Sequence, residues 1–301
     1  MYYNWRYYNT AEGRWNNRDY IYSEKELNIY TYCKNAPIQN SDIMGLNTLI
    51  ISGGIDTRSY TLLDQAFVKI TKIDSTQHDL TWYNFIIAAK LLMQEIRNKN
   101  NNETIEWLVN KHTYEVRSMH ERILSYPYIP HEVYINIIKE IAQQFGVFLK
   151  WYDNEQEFVQ GLSRDENGNT RKGNKKICRL DYFGHGYIGK LAIIPNFTNA
   201  NAGTYITADV FLKEYIAENG IINLETCHSA SVYANSKDIS IAESIHNKTG
   251  ARVKGYDGRV SYVPLADKKP SPPVKGNSID PRAKLKPGSN PNDYVVDIIY
   301  F

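Results

Sequence analysis

The sequence predicts an α/β fold, a mostly parallel sheet with helices on both faces. Three observations predict it. Short apolar runs of strand length alternate along residues 47–265 with stretches whose apolar residues recur at helical spacing. The helical stretches are bounded by start and stop residues, as where Pro130 precedes "HEVYINIIKEIAQQFG" and Gly146 closes it. With 301 residues, 42% of them apolar, the chain has material for a sizeable core. Strands alternating with helices pair in parallel and need helices to cover both faces of the sheet.

Taken in order, "NTLIISGGID" is a strand ended by the paired glycines Gly53 and Gly54. "WYNFIIAAKLLMQEI" is a helix with Phe85, Ile86, Ala89, Leu92 and Ile96 near one face. "TIEWLV" is a strand, "HEVYINIIKEIAQQFG" a helix and "VFLKWY" a strand. "NEQEFVQGL" reads as a short helix, "SRDENGNTRKGNKK" as an exposed loop and "ICRLDYF" as a strand. "TADVFLKEYIAENG" is expected to be the helix that crosses from that strand to the next, "IINL". "SIAESIHNKTG" is a helix stopped by Gly250, and "ARVKGY" the strand after it. Residues 266–290, rich in Lys and Pro, read as loop, and "DYVVDIIYF" as a last strand returning to the same domain over 266–301.

Composition narrows the function. The net charge is only +2 and the basic residues are scattered apart from "KGNKK" and the tail, so no nucleic-acid partner and no membrane surface is expected. No apolar stretch reaches spanning length, and "MYYNWRYYNT" lacks the layout of a signal peptide, so any export is expected by another route. Cys33, Cys178 and Cys227 are far apart without C-x-x-C spacing, which argues for thiols and against a disulfide framework or a zinc cage. His112, His120 and His131 have no ligand spacing to one another, so neither a metal nor another cofactor is expected.

In open parallel sheets the site lies beyond the carboxyl ends of the strands. Two reactive residues stand there. His185 follows "ICRLDYF" by one glycine, and Cys227 follows "IINL" by two residues. If the two strands are neighbours, a thiol and an imidazole face one substrate, the arrangement needed for a nucleophile and its base. Gly184 and Gly186 are expected to supply unusual backbone angles, and Gly186 to admit a substrate carbonyl. The N–H groups of Gly186 and Cys227 would form the oxyanion hole. Taken singly, "GHG" reads as a tight turn and Cys227 as a buried thiol; their order and topology favour a dyad. His228 could tune the thiol, though sequence neighbours at a strand end usually point apart. Cys178 lies within its strand and reads as core. Asp181 could line a pocket, with an exposed strand face as the simpler reading.

The first 46 residues differ in character: short aromatic runs separated by turn residues such as "NTAEG", a pattern of β-hairpins too small for a core of its own. Tyr2, Tyr3, Arg6, Tyr7, Tyr8, Gly13, Arg14, Trp15, Asp19, Asn28, Tyr30, Tyr32, Pro37, Asp42, Gly45 and Leu46 run in the order of the RHS repeat-associated core. Residues 1–46 thus resemble the closing segment of bacterial polymorphic-toxin shells. Tyr20 and Ile43 stand where that family has its two DP prolines. The resemblance implies that Asp19 and Asp42 form an aspartyl autoprotease releasing whatever follows Leu46, two close carboxylates sharing one proton. Read without it, both aspartates are turn residues.

"YFGHG" and "LETCHSA" in turn resemble the two blocks of caspase-like (caspase-hemoglobinase fold) cysteine peptidases, and "TGARVKGYDG" the helix-to-strand unit after the Cys block. The likeness spans 47–265 loosely. It implies Cys227 as nucleophile, His185 as general base or acid, and a caspase-like effector domain behind the hairpin segment of an RHS core. The function so implied is a toxin cassette acting as a cysteine endopeptidase, secreted or delivered into a target cell. Its partners would be a target protein, the RHS shell and an immunity protein. The alternative is an inactive effector of the same fold that binds its target in the crevice.

Overall fold

The computed structural model describes residues 2–3, 6–9, 14–15, 47–57, 82–99, 103–124, 132–196, 203–233, 238–261, 280–285, 294–295 and 297–301. Near the N-terminus β1 (Tyr2–Tyr3), β2 (Arg6–Asn9) and β3 (Arg14–Trp15) pair antiparallel as hairpins. Asp19, Asp42 and Leu46 lie outside the described residues.

From Asn47 the strands and helices alternate. β4 (Asn47–Ser52), α1 (Asn84–Lys99) and β5 (Thr104–Asn110) are followed by α2 (Lys111–Leu124), α3 (Val133–Phe145) and β6 (Phe148–Tyr152). Then come α4 (Glu155–Ser163), β7 (Ile177–Phe183), β8 (His185–Tyr187), β9 (Lys190–Ile194), β10 (Thr204–Ile206) and β11 (Ile216–Glu225). The last elements are α5 (Ile241–Thr249), β12 (Arg252–Ser261), β13 (Asp280–Leu285), β14 (Tyr294–Val295) and β15 (Asp297–Tyr300). The central sheet runs β6-β5-β4-β7-β11-β12 with every pair parallel, and β15 and β13 add antiparallel to successive parts of β12. The fold is α/β with a mostly parallel sheet, as the alternation predicts.

Each central strand is apolar on both sides because helices lie on both. Ile50, Trp107 and Phe183 pack with Phe85, Ile86 and Met93 of α1 and with Ile135 and Ile138 of α3. Leu49, Ile51, Leu108, Leu180, Tyr182 and Leu224 pack on the opposite face with Phe158 and Leu162 of α4 and with Ile241 and Ile245 of α5. The helix ends follow local chemistry. Asn154 and Ser240 accept the backbone N–H of Glu157 and Glu243 in the first turns of α4 and α5. Gly146 (φ +58) and Gly250 (φ +72) close α3 and α5 in the left-handed conformation that glycine adopts without a Cβ penalty.

Several expectations need correction. Residues 207–220 are not a helix. Ala208–Val210 form a single 3-10 turn and β11 already begins at Ile216. Asn219, at φ +64, and Gly220 lie in a register shift within β11 between Ile216 and Ile221. The Asn-Gly pair that ends the expected helix is therefore a bulge, and Ile216 and Ala217 are buried as strand residues. The link from β7 to β11 is instead the antiparallel sheet β8-β9-β10. The strand β13 falls in the Lys/Pro-rich stretch expected as loop, while β15 is the returning terminal strand.

Helix α2 has no apolar stripe in its text. Its core-facing side is Thr113, Tyr114, Arg117 and Ser118, all buried, and the side chain of Asn110 caps it by accepting the Thr113 N–H at 2.9 Å. Residues 163–176 are not simply exposed, since Asp165 and Arg171 are buried. Asp181 is not on an exposed face either. It is buried, held by both Arg179 Nε (2.6 Å) and Arg179 Nη2 (3.1 Å) and by the Asn223 amide (2.9 Å). Cys178 is core, as its place in β7 predicts. Among the described residues no helix is long and apolar enough to cross a membrane.

Candidate active site

The chain lays down β4, β5 and β6 outward to one edge, then returns to place β7, β11 and β12 on the other side of β4. Strand order reverses between β4 and β7, and a crevice opens past the carboxyl ends at such a switch point. Gly53 and Gly54 at the end of β4 donate to the carbonyls of Phe183 (2.8 Å) and Ile193 (2.9 Å), tying that end to β7 and β9.

His185 and Cys227 are brought together at this edge. Phe183 of β7 is the register partner of Glu225 of β11, so the two residues each stand two positions beyond one cross-strand pair. Adjacent strands lie about 4.8 Å apart. The His185 ring is nearly buried and meets the Phe85 ring edge-on, centroids 5.2 Å apart at 80°. Cys227, half-buried, packs against the same apolar cluster that holds Phe85, Phe183 and Tyr256. Phe85 is itself located by a short chain: Trp107 Nε1 donates to Ser52 Oγ (3.0 Å), which donates to the Phe85 carbonyl (3.2 Å).

The glycines flanking His185 serve a different purpose from the expected one. Neither is among the positive-φ residues; both are glycines for want of space. A Cβ on Gly184 would lie 2.6 Å from the Tyr182 hydroxyl, and one on Gly186 would meet the Cys227 carbonyl oxygen and lie 2.5 Å from Thr226 Oγ1. The "GHG" and "TCH" segments are therefore in backbone contact. The Tyr182 hydroxyl lies within hydrogen-bond reach of the carbonyls of His185 (3.2 Å) and Ala192 (3.1 Å). Burial pushes its phenol far up, so it stays a neutral donor that fixes the strand carrying His185. Gly186→Ala is expected to cost about 1–3 kcal/mol through overpacking and to part the two segments. Thermal unfolding together with turnover checks this, and an unchanged melting temperature with full activity contradicts the contact.

The turn after β11 is sewn onto β12. Ala230 N–H donates to the Tyr256 carbonyl (2.9 Å), Tyr256 N–H to Ser229 Oγ (2.9 Å) and Gly258 N–H to Ser231 Oγ (3.0 Å). Below the turn, Glu225 accepts from the Tyr256 hydroxyl (2.6 Å) and from Lys254. Burial, and then the Glu225 charge, raises the Tyr256 phenol well above its ordinary value. His228 does stand apart from an ordinary strand end: it is left-handed, at φ +55. Phe85, read from sequence only as a helix-face residue, and Tyr182, Ser229, Ser231 and Asp257 were not placed at the site by sequence. "CHSAS" does carry a signal, two hydroxyls spaced to bond a neighbouring strand, but their acceptors and donors lie 26 to 27 residues on.

Among the described residues no group of three or more His, Cys, Asp or Glu could hold a metal ion. The chain matches no family model, no curated protein and no solved structure. The chemistry available is therefore read from the residues: a thiol and an imidazole on neighbouring strand ends, with a glycine backbone pressed against the thiol's turn.

Proposed function

We propose that residues 47–301 form a cysteine endopeptidase in which Cys227 attacks the substrate carbonyl and His185 moves the proton. The carrying observation is the meeting of His185–Gly186 with Thr226–Cys227 at the carboxyl ends of adjacent parallel strands. In the first step the thiolate of Cys227 adds to the carbonyl carbon, and the oxyanion accepts from the backbone N–H groups of Gly186 and Cys227. His185 takes the thiol proton and returns it to the leaving amine. Water then attacks the acyl-enzyme and restores the thiol. The mostly parallel sheet with helices on both faces is compatible with the caspase-like fold that "YFGHG" and "LETCHSA" resemble. A peptide library incubated with the chain tests this reading. Discrete cleavage that disappears in Cys227→Ala supports it, and an uncut library speaks for a binding scaffold.

The RHS-like residues 1–46 make the chain a toxin cassette, with a target protein as substrate and release after Leu46. Asn47, the first residue of the released fragment, opens β4, where its side-chain amide is bonded to the carbonyls of Asn174 and Lys176. A full-length parent is expected to yield a fragment starting at Asn47. N-terminal sequencing checks it; a start inside the α/β region, or processing undiminished in an Asp19→Asn/Asp42→Asn variant, contradicts it.

A further inference from the structure

The turn carrying Cys227 holds His228 at φ +55, a backbone that is strained for a non-glycine residue and persists only where its surroundings enforce it. The enforcement comes from the end of β12. His228 N–H donates to the Gly258 carbonyl. Ser231 Oγ stands at the centre of three contacts, with Gly258 N at 3.0 Å, Asp257 Oδ1 at 2.8 Å and His228 Nδ1 at 3.2 Å.

Counting protons orders this network. A serine hydroxyl has one hydrogen to give and two lone pairs to receive with. The Gly258 N–H can only donate and the Asp257 carboxylate can only accept, so the serine proton points to Asp257. Toward His228 the Ser231 oxygen is then an acceptor, and Nδ1 must carry the hydrogen. We infer that Asp257 and Ser231 are positioning residues that hold His228 as its Nδ1–H tautomer and thereby lock the turn that presents Cys227. The unprotonated nitrogen of the neutral ring is Nε2, on the residue next to the nucleophile. The consequence for rate rests on Cys227 being the nucleophile; the tautomer does not.

The experiment is 15N NMR of the full chain labelled at histidine, at a pH where the imidazoles are neutral, with the His228 signals assigned by their loss in His228→Asn. Wild type is expected to show a protonated Nδ1 and a lone-pair Nε2 at His228. Ser231→Thr keeps that pattern. Ser231→Ala loses it, and Asp257→Asn, whose amide can donate to Ser231 and turn its hydroxyl toward the ring, shifts it toward Nε2–H. In parallel, alkylation of Cys227 by iodoacetamide is expected to slow by about one to two orders of magnitude in Ser231→Ala and to recover in Ser231→Thr. A wild-type His228 protonated at Nε2 overturns the inference even if no variant folds, as does a pattern unchanged in Ser231→Ala. The expected tautomer beside a Cys227 that is alkylated as fast in Ser231→Ala as in wild type overturns the locking of the turn, and a Cys227 unreactive in wild type tells against the peptidase reading alone.

Discussion

Cys227→Ala and His185→Ala are each expected to lower peptide cleavage by about 10³-fold or more, with the double variant little worse than either alone. In the proposed dyad the two groups act on one proton. Without the thiol there is nothing to attack the carbonyl, and without the imidazole the thiol has no partner to take its proton or to protonate the leaving amine. Neither change should unfold the chain. Cys227 is half-buried at the surface of its cluster, and His185 meets Phe85 at a strand end rather than deep in the core. Cys178 is the control, because it is buried in β7 with its sulfur 3.7 Å from the Lys176 carbonyl. Cys178→Ala should leave turnover near wild type. A folded Cys227→Ala protein with full activity, or losses that add across the pair, would sink the dyad.

Arg171→Met is expected to destabilise the domain by about 3–5 kcal/mol, the usual cost of leaving one charge of a buried pair without its partner. The guanidinium grips Glu106 with both prongs, Nη1 to Oε1 at 2.7 Å and Nη2 to Oε2 at 2.8 Å, with each side chain 1% exposed. Its Nε also binds the Leu162 carbonyl at the end of α4 (2.8 Å). Lys150 adds a second cation to Glu106 and donates to the carbonyls of Arg164 and Asp165. A lone ammonium replaces neither the guanidinium's two-pronged grip on Glu106 nor its bond to the Leu162 carbonyl, so Lys150 is a weak substitute for Arg171. A lysine at position 171 should fail too, since it lacks the fork. Replacing both partners by apolar residues, as in Arg171→Met/Glu106→Leu, should recover much of the loss. Urea midpoints at constant m-value measure this, and an Arg171→Met change under about 1 kcal/mol contradicts it.

Much of the architecture was legible in the text because it rests on local rules. The apolar runs of β4, β5 and β7 announce strands, and Gly146 and Gly250 mark helix ends that need a left-handed residue. What failed was local chemistry with two outcomes. Asn219–Gly220 suits a helix stop and a strand bulge equally, and only pairing of Ile216 with Ile177 across to β7 selects the bulge. Helix α2 escaped because tertiary contacts, not periodicity, bury Thr113, Tyr114 and Arg117. Glu106 and Arg171 are 65 residues apart, and no spacing rule joins them. The site divides the same way. The placement of His185 and Cys227 at neighbouring strand ends was legible because each follows an apolar run. Ser231 and Asp257 became visible only when β12 was laid beside the Cys227 turn. Gly186 was expected to admit a substrate carbonyl, whereas the atoms that leave it no room for a side chain are those of Thr226 and Cys227.

The central claim is that Cys227 is a nucleophile activated by His185. Its most direct test is labelling of the intact chain by an electrophilic peptide probe, with the modified residue located by mass spectrometry of the digested protein. Activation raises the reactivity of one thiol selectively. The expected result is stoichiometric modification at Cys227, little at Cys178, and loss of the Cys227 label in His185→Ala. Cys227 left unmodified in the folded protein, or modified equally fast without His185, would contradict the account.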